Sequence, residues 1–205
     1  MQPILVFVEQ ANSQIKKTSL EAVAEARRQA DAIKTDVVAL IIAEKTESFV
    51  KDAGSPSPCA QGLGSYGANK VVAVDGADFK EYSTASYTRA VLAAVNKVNP
   101  MAVLFSATPN GKDLAGSVGA ELKISVIQDC ISLNYDSGAP MPSDTERPAR
   151  EHRGAFVARR PIYAGKSIIT VKALKTPALV TLRPKVFPLG AAANQTPAVE
   201  KLDVA

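Results

Sequence analysis

Tryptophan is absent from the 205 residues, and aromatics make up only 5% of them. A surface that stacks nucleic-acid bases is therefore not expected. One histidine, His152, and two cysteines far apart, Cys59 and Cys130, supply neither a zinc ligand set nor a disulfide framework. Such cysteine use fits a reducing, intracellular compartment rather than secretion. Long apolar runs are missing too. Ile4–Val8 is cut off by Glu9 and has no basic segment before it, so it reads as neither signal peptide nor membrane anchor. Nor is there a dominant charge: 24 Lys and Arg stand against 20 Asp and Glu, a net charge of +4. A pI near 9.0 permits loose attraction to anionic partners without calling for nucleic acid. What remains, 46% hydrophobic and 21% charged, is a soluble globular composition with enough chain for a sizeable core.

The order of apolar runs then carries the fold. Ile4–Val8 is apolar throughout and reads as a buried strand. Thr18-Ser19-Leu20-Glu21 has the spacing of a capping box, opening a helix over roughly Ser19–Ala32 with Leu20, Val23, Ala24 and Ala30 on one face. Val37–Ile42 is the next buried strand, which completes a βαβ unit and implies parallel pairing. Gly54–Pro58 reads as a loop, Ala60–Tyr66 as a short helix at best, and Lys70–Val74 as a strand. Tyr87, Val91, Leu92, Val95 and Val98 recur at helical spacing, so Thr84–Val98 is a helix stopped by Asn99-Pro100. Ala102–Phe105 is a strand, Gly111–Leu122 a helix, and Val126–Leu133 extended. This alternation predicts a doubly wound, mainly parallel α/β sheet of Rossmann-like type. Beyond a polar excursion over Asp136–Arg153, three strand-like runs follow: Gly154–Tyr163, Lys166–Leu174 and Ala178–Arg183. With no room for helices between them, they are expected to form a C-terminal antiparallel hairpin extension. From Pro184 the chain reads as a linker.

Few residues promise chemistry. Ser106–Asp113 follows a strand and opens a helix, so Thr108, Gly111 and Lys112 form a weak anion-loop candidate that supports an autonomous nucleotide-binding reading. The spacing is not that of a Walker loop, and Asp113 is unfavourable beside a phosphate. The plainer reading is loop and cap chemistry, with Asp113 as a first-turn acid. His152 reads as a solvated loop residue, and Cys130 as a small core residue. Asp129, at a strand, needs a partner if buried. No Ser-His-Asp or Cys-His arrangement stands out, so no catalytic residue and no metal ligand is named. Arg159-Arg160 before Pro161-Ile162-Tyr163-Ala164-Gly165 reads equally well as an interface anchor or as a charged edge that resists aggregation.

Arg160-Pro161-Ile162-Tyr163-Ala164-Gly165 with Ile169-Thr170-Val171-Lys172, and Gly111-Lys112-Asp113-Leu114-Ala115, resemble segments of the electron transfer flavoprotein alpha subunit. Ile4–Glu9, Glu25-Ala26-Arg27, Gly67–Val71 and Val180-Thr181-Leu182-Arg183 resemble the same family, in its order. The chain departs from the family's pattern at Gly116–Ala120, at Gln128-Asp129-Cys130 and at Lys166.

The resemblance implies a fold related to the adenine-nucleotide alpha-hydrolase type. It also implies an N-terminal α/β domain over residues 1–183, with 184–205 as a linker towards a C-terminal FAD domain that is not in this sequence. The implied role is that of an electron-carrier component, not an enzyme by itself. This domain would scaffold the heterodimer with the beta subunit, with Arg160, Pro161, Ile162, Tyr163, Ala164 and Gly165 as interface candidates. FAD would belong to the complete assembly and not be held tightly by these residues. Flavin dehydrogenases and a quinone oxidoreductase would be partners of the whole. The implied location is the cytoplasm of a bacterial-type cell, or alternatively the mitochondrial matrix, with neither membrane nor nucleic acid as partner.

Overall fold

Continuous apolar runs become parallel strands, because a strand covered on both faces has no side left for polar residues. A computed structural model of the chain describes residues 1–11, 14–47, 49, 62–138, 154–190 and 196–204. The expected Gly54–Pro58 loop, Cys59, Ala60 and His152 lie outside these residues. The strands are β1 (Ile4–Val8), β2 (Gln10–Ala11), β3 (Gln14–Ile15), β4 (Val37–Ala43), β5 (Lys70–Asp75), β6 (Ala102–Ser106), β7 (Val126–Cys130), β8 (Ser132–Asp136), β9 (Ala155–Ile162), β10 (Ser167–Lys172), β11 (Ala178–Leu182) and β12 (Ala198–Lys201). The helices are α1 (Lys17–Ile33), α2 (Thr84–Val98) and α3 (Pro109–Leu122), with a short 3-10 turn at Leu63–Tyr66.

Seven strands form one sheet in the order β12-β5-β4-β1-β6-β11-β7, all paired in parallel. Alternation along β1 splits the core. Ile4, Val6 and Val8 pack with Val23, Ala26 and Ala30 of α1, while Leu5 and Phe7 pack with Val91 of α2 and Leu114 of α3. Helices thus cover both faces, as the α/β expectation requires. A second sheet, in the order β10-β9-β8, is antiparallel.

Several expectations need correction. Ala178–Leu182 does not extend the hairpin; it enters the parallel sheet between β6 and β7, with all five residues buried. The reason is its apolar character on both faces, which only an interior strand accommodates. The third strand of the hairpin sheet is instead β8, which takes the last two residues of the extended Val126–Leu133 run and continues to Asp136. That run breaks near Asp129, which adopts a left-handed φ of 61°. The stretch read as linker holds β12, the edge strand beside β5. Glu200 draws it in through ion pairs with Lys70 and Lys97. The capping box does not form. Helix α1 starts two residues earlier, its N-cap position is Lys16 without a side-chain bond, and Glu21 accepts from the Lys185 N–H at 2.7 Å instead.

Candidate functional site

In an open parallel sheet ligands bind at the carboxyl ends of the strands. Here β1, β6, β11 and β7 end side by side, and backbone bonds tie their exits together. Ala107 N–H donates to Leu182 O at 2.7 Å, Arg183 N–H to Cys130 O at 2.9 Å, and Ile131 N–H to Arg159 O at 2.8 Å. One line therefore runs from the start of α3, past the ends of β11 and β7, to β9.

The anion-loop candidates sit at the first station on that line. Thr108 caps α3: its Oγ1 accepts from Gly111 N–H at 3.0 Å and donates to Glu9 Oε1 at 2.5 Å. Glu9 is only 4% exposed, and its other oxygen accepts from Lys16 Nζ at 2.8 Å. A buried carboxylate of the chain itself thus stands where a bound phosphate would need to be, already satisfied by the hydroxyl and an ammonium. Gly111 is small for a packing reason, since a Cβ there would run into the Ser106 carbonyl oxygen. Asp113 is the fifth residue of α3, not a first-turn acid, because the helix begins at Pro109. It accepts from Tyr82 OH at 2.7 Å and Thr84 Oγ1 at 2.6 Å, and these bonds, Thr84 first, hold its carboxyl below the usual carboxylate range. Burial, reinforced by Asp113, pushes the Tyr82 phenol up. A cleft of about 230 Å³ opens beside this corner, lined by Glu9, Ile42, Lys80, Tyr82, Tyr87 and Asn110. Lys112 Nζ takes no part in any of these bonds.

The second station is Asp129. Arg183 grips its carboxylate with two bonds, Nε at 3.1 Å and Nη2 at 2.6 Å. The Asp129 N–H donates to the buried Thr181 Oγ1 at 2.8 Å. The Arg183 bond lowers the Asp129 pKa against an opposing contribution from burial, and Lys112 and Arg160 add further positive potential. Cys130 beside it is fully buried, and burial raises its thiol to about 12, so it is a core residue and not a nucleophile.

The third station is the β9–β10 hairpin. Arg160 shares the face of β9 with the buried Phe156 and Ala158, while Arg159 is exposed on the other face. At the tip, Tyr163, Ala164 and Gly165 take positive φ values of 50°, 53° and 89°, and Tyr163 is 77% exposed. Ile168 and Ile169 are exposed on β10, which lies at the edge of its sheet. From Gly154 to Gly190 the sequence has seven cations (Arg159, Arg160, Lys166, Lys172, Lys175, Arg183 and Lys185) and no acidic residue.

A family model described as the electron transfer flavoprotein domain matches residues 4–205. The chain belongs to this family. This electron transfer flavoprotein domain is 30% identical over 185 residues to the electron transfer flavoprotein subunit alpha of Syntrophomonas wolfei, a match covering 90% of the chain and 49% of that relative. It is 29% identical to Protein FixB of Azorhizobium caulinodans, over 91% of the chain and 45% of the relative. A shorter match, 30% over 133 residues, links it to the acryloyl-CoA reductase electron transfer subunit beta of Anaerotignum propionicum. The chain spans about half the length of the curated relatives it matches. The relatives from Syntrophomonas wolfei and Anaerotignum propionicum are named as electron-transfer subunits, in agreement with the expected alpha-type component. No helix among the described residues is long and apolar enough to cross a membrane.

The sequence-predicted residues fall into two groups. Arg160 and Lys112 are brought towards the same carboxylate, Asp129, although 48 residues separate them. Tyr163, Ala164 and Gly165 lie away at the hairpin tip. The residues of this electron transfer flavoprotein domain do not fit the phosphates of FAD at the start of α3: Thr108 and the Gly111 N–H are already used, and Glu9 adds negative charge. Glu9 was missed as a site residue. Its signal was an acid directly after a fully apolar strand, where a buried position was foreseeable.

Proposed function

We propose that this chain is the scaffold domain of an electron transfer flavoprotein alpha subunit, pairing with a beta subunit in an assembly whose FAD passes electrons on from dehydrogenases. The observation that carries the pairing is the β9–β10 hairpin. It presents an exposed Tyr163, exposed Ile168 and Ile169 and a strand edge without a partner strand among the described residues, in a stretch from Gly154 to Gly190 that has cations and no acidic residue. Exposed aromatics and branched apolar residues on an unpaired edge are what a protein partner covers. In this reading Arg160–Gly165 anchor the beta subunit. Residues 1–183 together with β12 form the scaffold, and FAD is held by residues outside this sequence. The assembly works in the cytoplasm of a bacterial-type cell.

The nucleotide-binding alternative has less support, because Glu9 and Lys16 satisfy the loop from within. The two readings separate when the chain, alone and extended by its flavin domain, is mixed with the cognate beta subunit and followed by size-exclusion chromatography. A stable complex that is lost on Tyr163→Ala with Ile168→Asp is expected. Failure of both forms to bind the beta subunit, or stoichiometric FAD on the 205-residue chain alone, overturns the proposal.

A further inference from the structure

Four sequence segments far apart in the chain supply the charges around one carboxylate: Arg183 bonds Asp129 directly, and Lys112 and Arg160 add positive potential there. Lys112 comes from the first turn of α3, Asp129 from the end of β7, Arg160 from β9 and Arg183 from the end of β11. The bonds Arg183 to Cys130 and Ile131 to Arg159 hold the backbone beside Asp129, Arg160 and Arg183 together, and the bond Ala107 to Leu182 ties the loop before α3 to the end of β11.

The charges do not balance. Glu9 is answered by Lys16, Asp113 is turned to the hydroxyls of Tyr82 and Thr84, and Asp129 is answered by Arg183. Lys112 and Arg160 make no ion pair among the described residues. The Nε–H of Arg160 is also out of contact with solvent and without an acceptor among them. Two cations therefore share the neighbourhood of one neutralised acid, and one of them carries an idle donor. Asp129 holds Arg183 in place through a two-bond grip, which orients the guanidinium without removing its remaining N–H groups from use.

We propose that Lys112, Arg160 and Arg183 form a binding site for the phosphate group of a small-molecule ligand, with Asp129 as the residue that positions Arg183. The phosphate is favoured over a carboxylate by charge: a phosphate monoester brings close to two negative charges at neutral pH, matching the two unanswered cations. The guanidinium forks suit its tetrahedral oxygens, and Lys112, which is exposed, supplies a mobile point charge at the mouth. The site lies at the carboxyl ends of β11 and β7, the end of an open α/β sheet where ligands enter. It does not use the backbone N–H groups at the amino end of α3, where Glu9 sits, and it shares only Arg160 with the proposed beta-subunit anchor.

The test is inorganic phosphate added to the 205-residue chain at constant ionic strength, with acetate as the control anion and amide NMR shifts as the readout. Phosphate is expected to shift the amides of residues 112, 129–131, 160 and 183 in a saturable way, and acetate to do so at least roughly tenfold more weakly. Lys112→Glu, at an exposed position that leaves the fold intact, should weaken phosphate binding by roughly tenfold or more, while Lys112→Arg should retain it. Arg160→Gln should weaken it as well. No saturable shift with phosphate, an equal response to acetate, or unchanged binding in Lys112→Glu overturns the proposal. Lys112 lies outside the proposed Arg160–Gly165 anchor, so the Lys112 variants read failure here separately from failure of the beta-subunit pairing.

Discussion

The two sheets are built on opposite principles. In the parallel sheet, β1, β4, β6 and β11 are buried along their whole length, and their side chains fill two cores. In the antiparallel sheet, β10 exposes its first four residues and, among the described residues, has a strand on one side only. The first is specified by what it excludes, since any polar atom inside must find a partner. The second is left unfinished at one edge. A domain whose stability is concentrated in one layer can spend the other on recognition, and substitutions in the two should behave differently.

The contrast is sharpest for Phe105→Ala in β6. Phe105 is fully buried and packs against Phe7, with ring centroids 6.0 Å apart. Its truncation should cost about 3–5 kcal/mol in denaturant unfolding. A loss under 1 kcal/mol would mean that the parallel layer does not carry the stability. Thr108→Val comes next. It removes the donor to a nearly buried Glu9 carboxylate and the cap of α3 together, and about 1–3 kcal/mol should be lost.

Asp129 lies between the layers, and its effect is smaller and depends on pH. Its pKa is lowered in the folded state, chiefly by the Arg183 bond. Such a group stabilises the fold above its unfolded value of about 3.9, and that contribution disappears as pH falls through the lower, folded value. The pair is partly exposed, so Asp129→Asn should cost about 1 kcal/mol at pH 7. The difference between wild type and variant should shrink in urea titrations below about pH 4. A gap that stays constant with pH would show that charge is not the cause. The smallest effect belongs to the open edge. Ile168→Thr should change stability by no more than about 0.5 kcal/mol, because the side chain is already half in water. A large loss in the isolated chain would mean that β10 is part of the core and not a surface for a partner.

Periodicity made the regular elements legible. The bounds Thr84–Val98 follow from helical spacing and the Asn99-Pro100 stop, and α2 has those bounds. The apolar runs at Ile4–Val8 and Val37–Ile42 were readable for the same reason. Placement was harder. Ala-Leu-Val-Thr-Leu reads alike as a hairpin strand or as the interior of a parallel sheet, and only the cores on both sides decide. Ala-Val-Glu-Lys carries almost no strand signal, since what holds it is Glu200 meeting Lys70 and Lys97 from distant segments. At the candidate sites the residue types were visible but the pairings were not. Thr108 and Glu9 lie 99 residues apart, and Asp129 and Arg183 54 apart, distances over which local rules say nothing.

Strand β12 has a practical consequence for anyone cutting this domain out of a longer chain. Val71, Val72, Ala73 and Val74 of β5 are buried, and β12 occupies the hydrogen-bonding edge beside them, with the Leu202 N–H bonding Ala73 O at 2.9 Å just beyond it. A boundary drawn before Ala198, where the composition turns linker-like, would strip the cover from an apolar strand and leave a template for intermolecular pairing. Insolubility after such a cut would reflect the missing edge and not a failure of the remaining residues to fold. The lower limit of a soluble piece is therefore set by four residues of unremarkable sequence, not by the large core they shield.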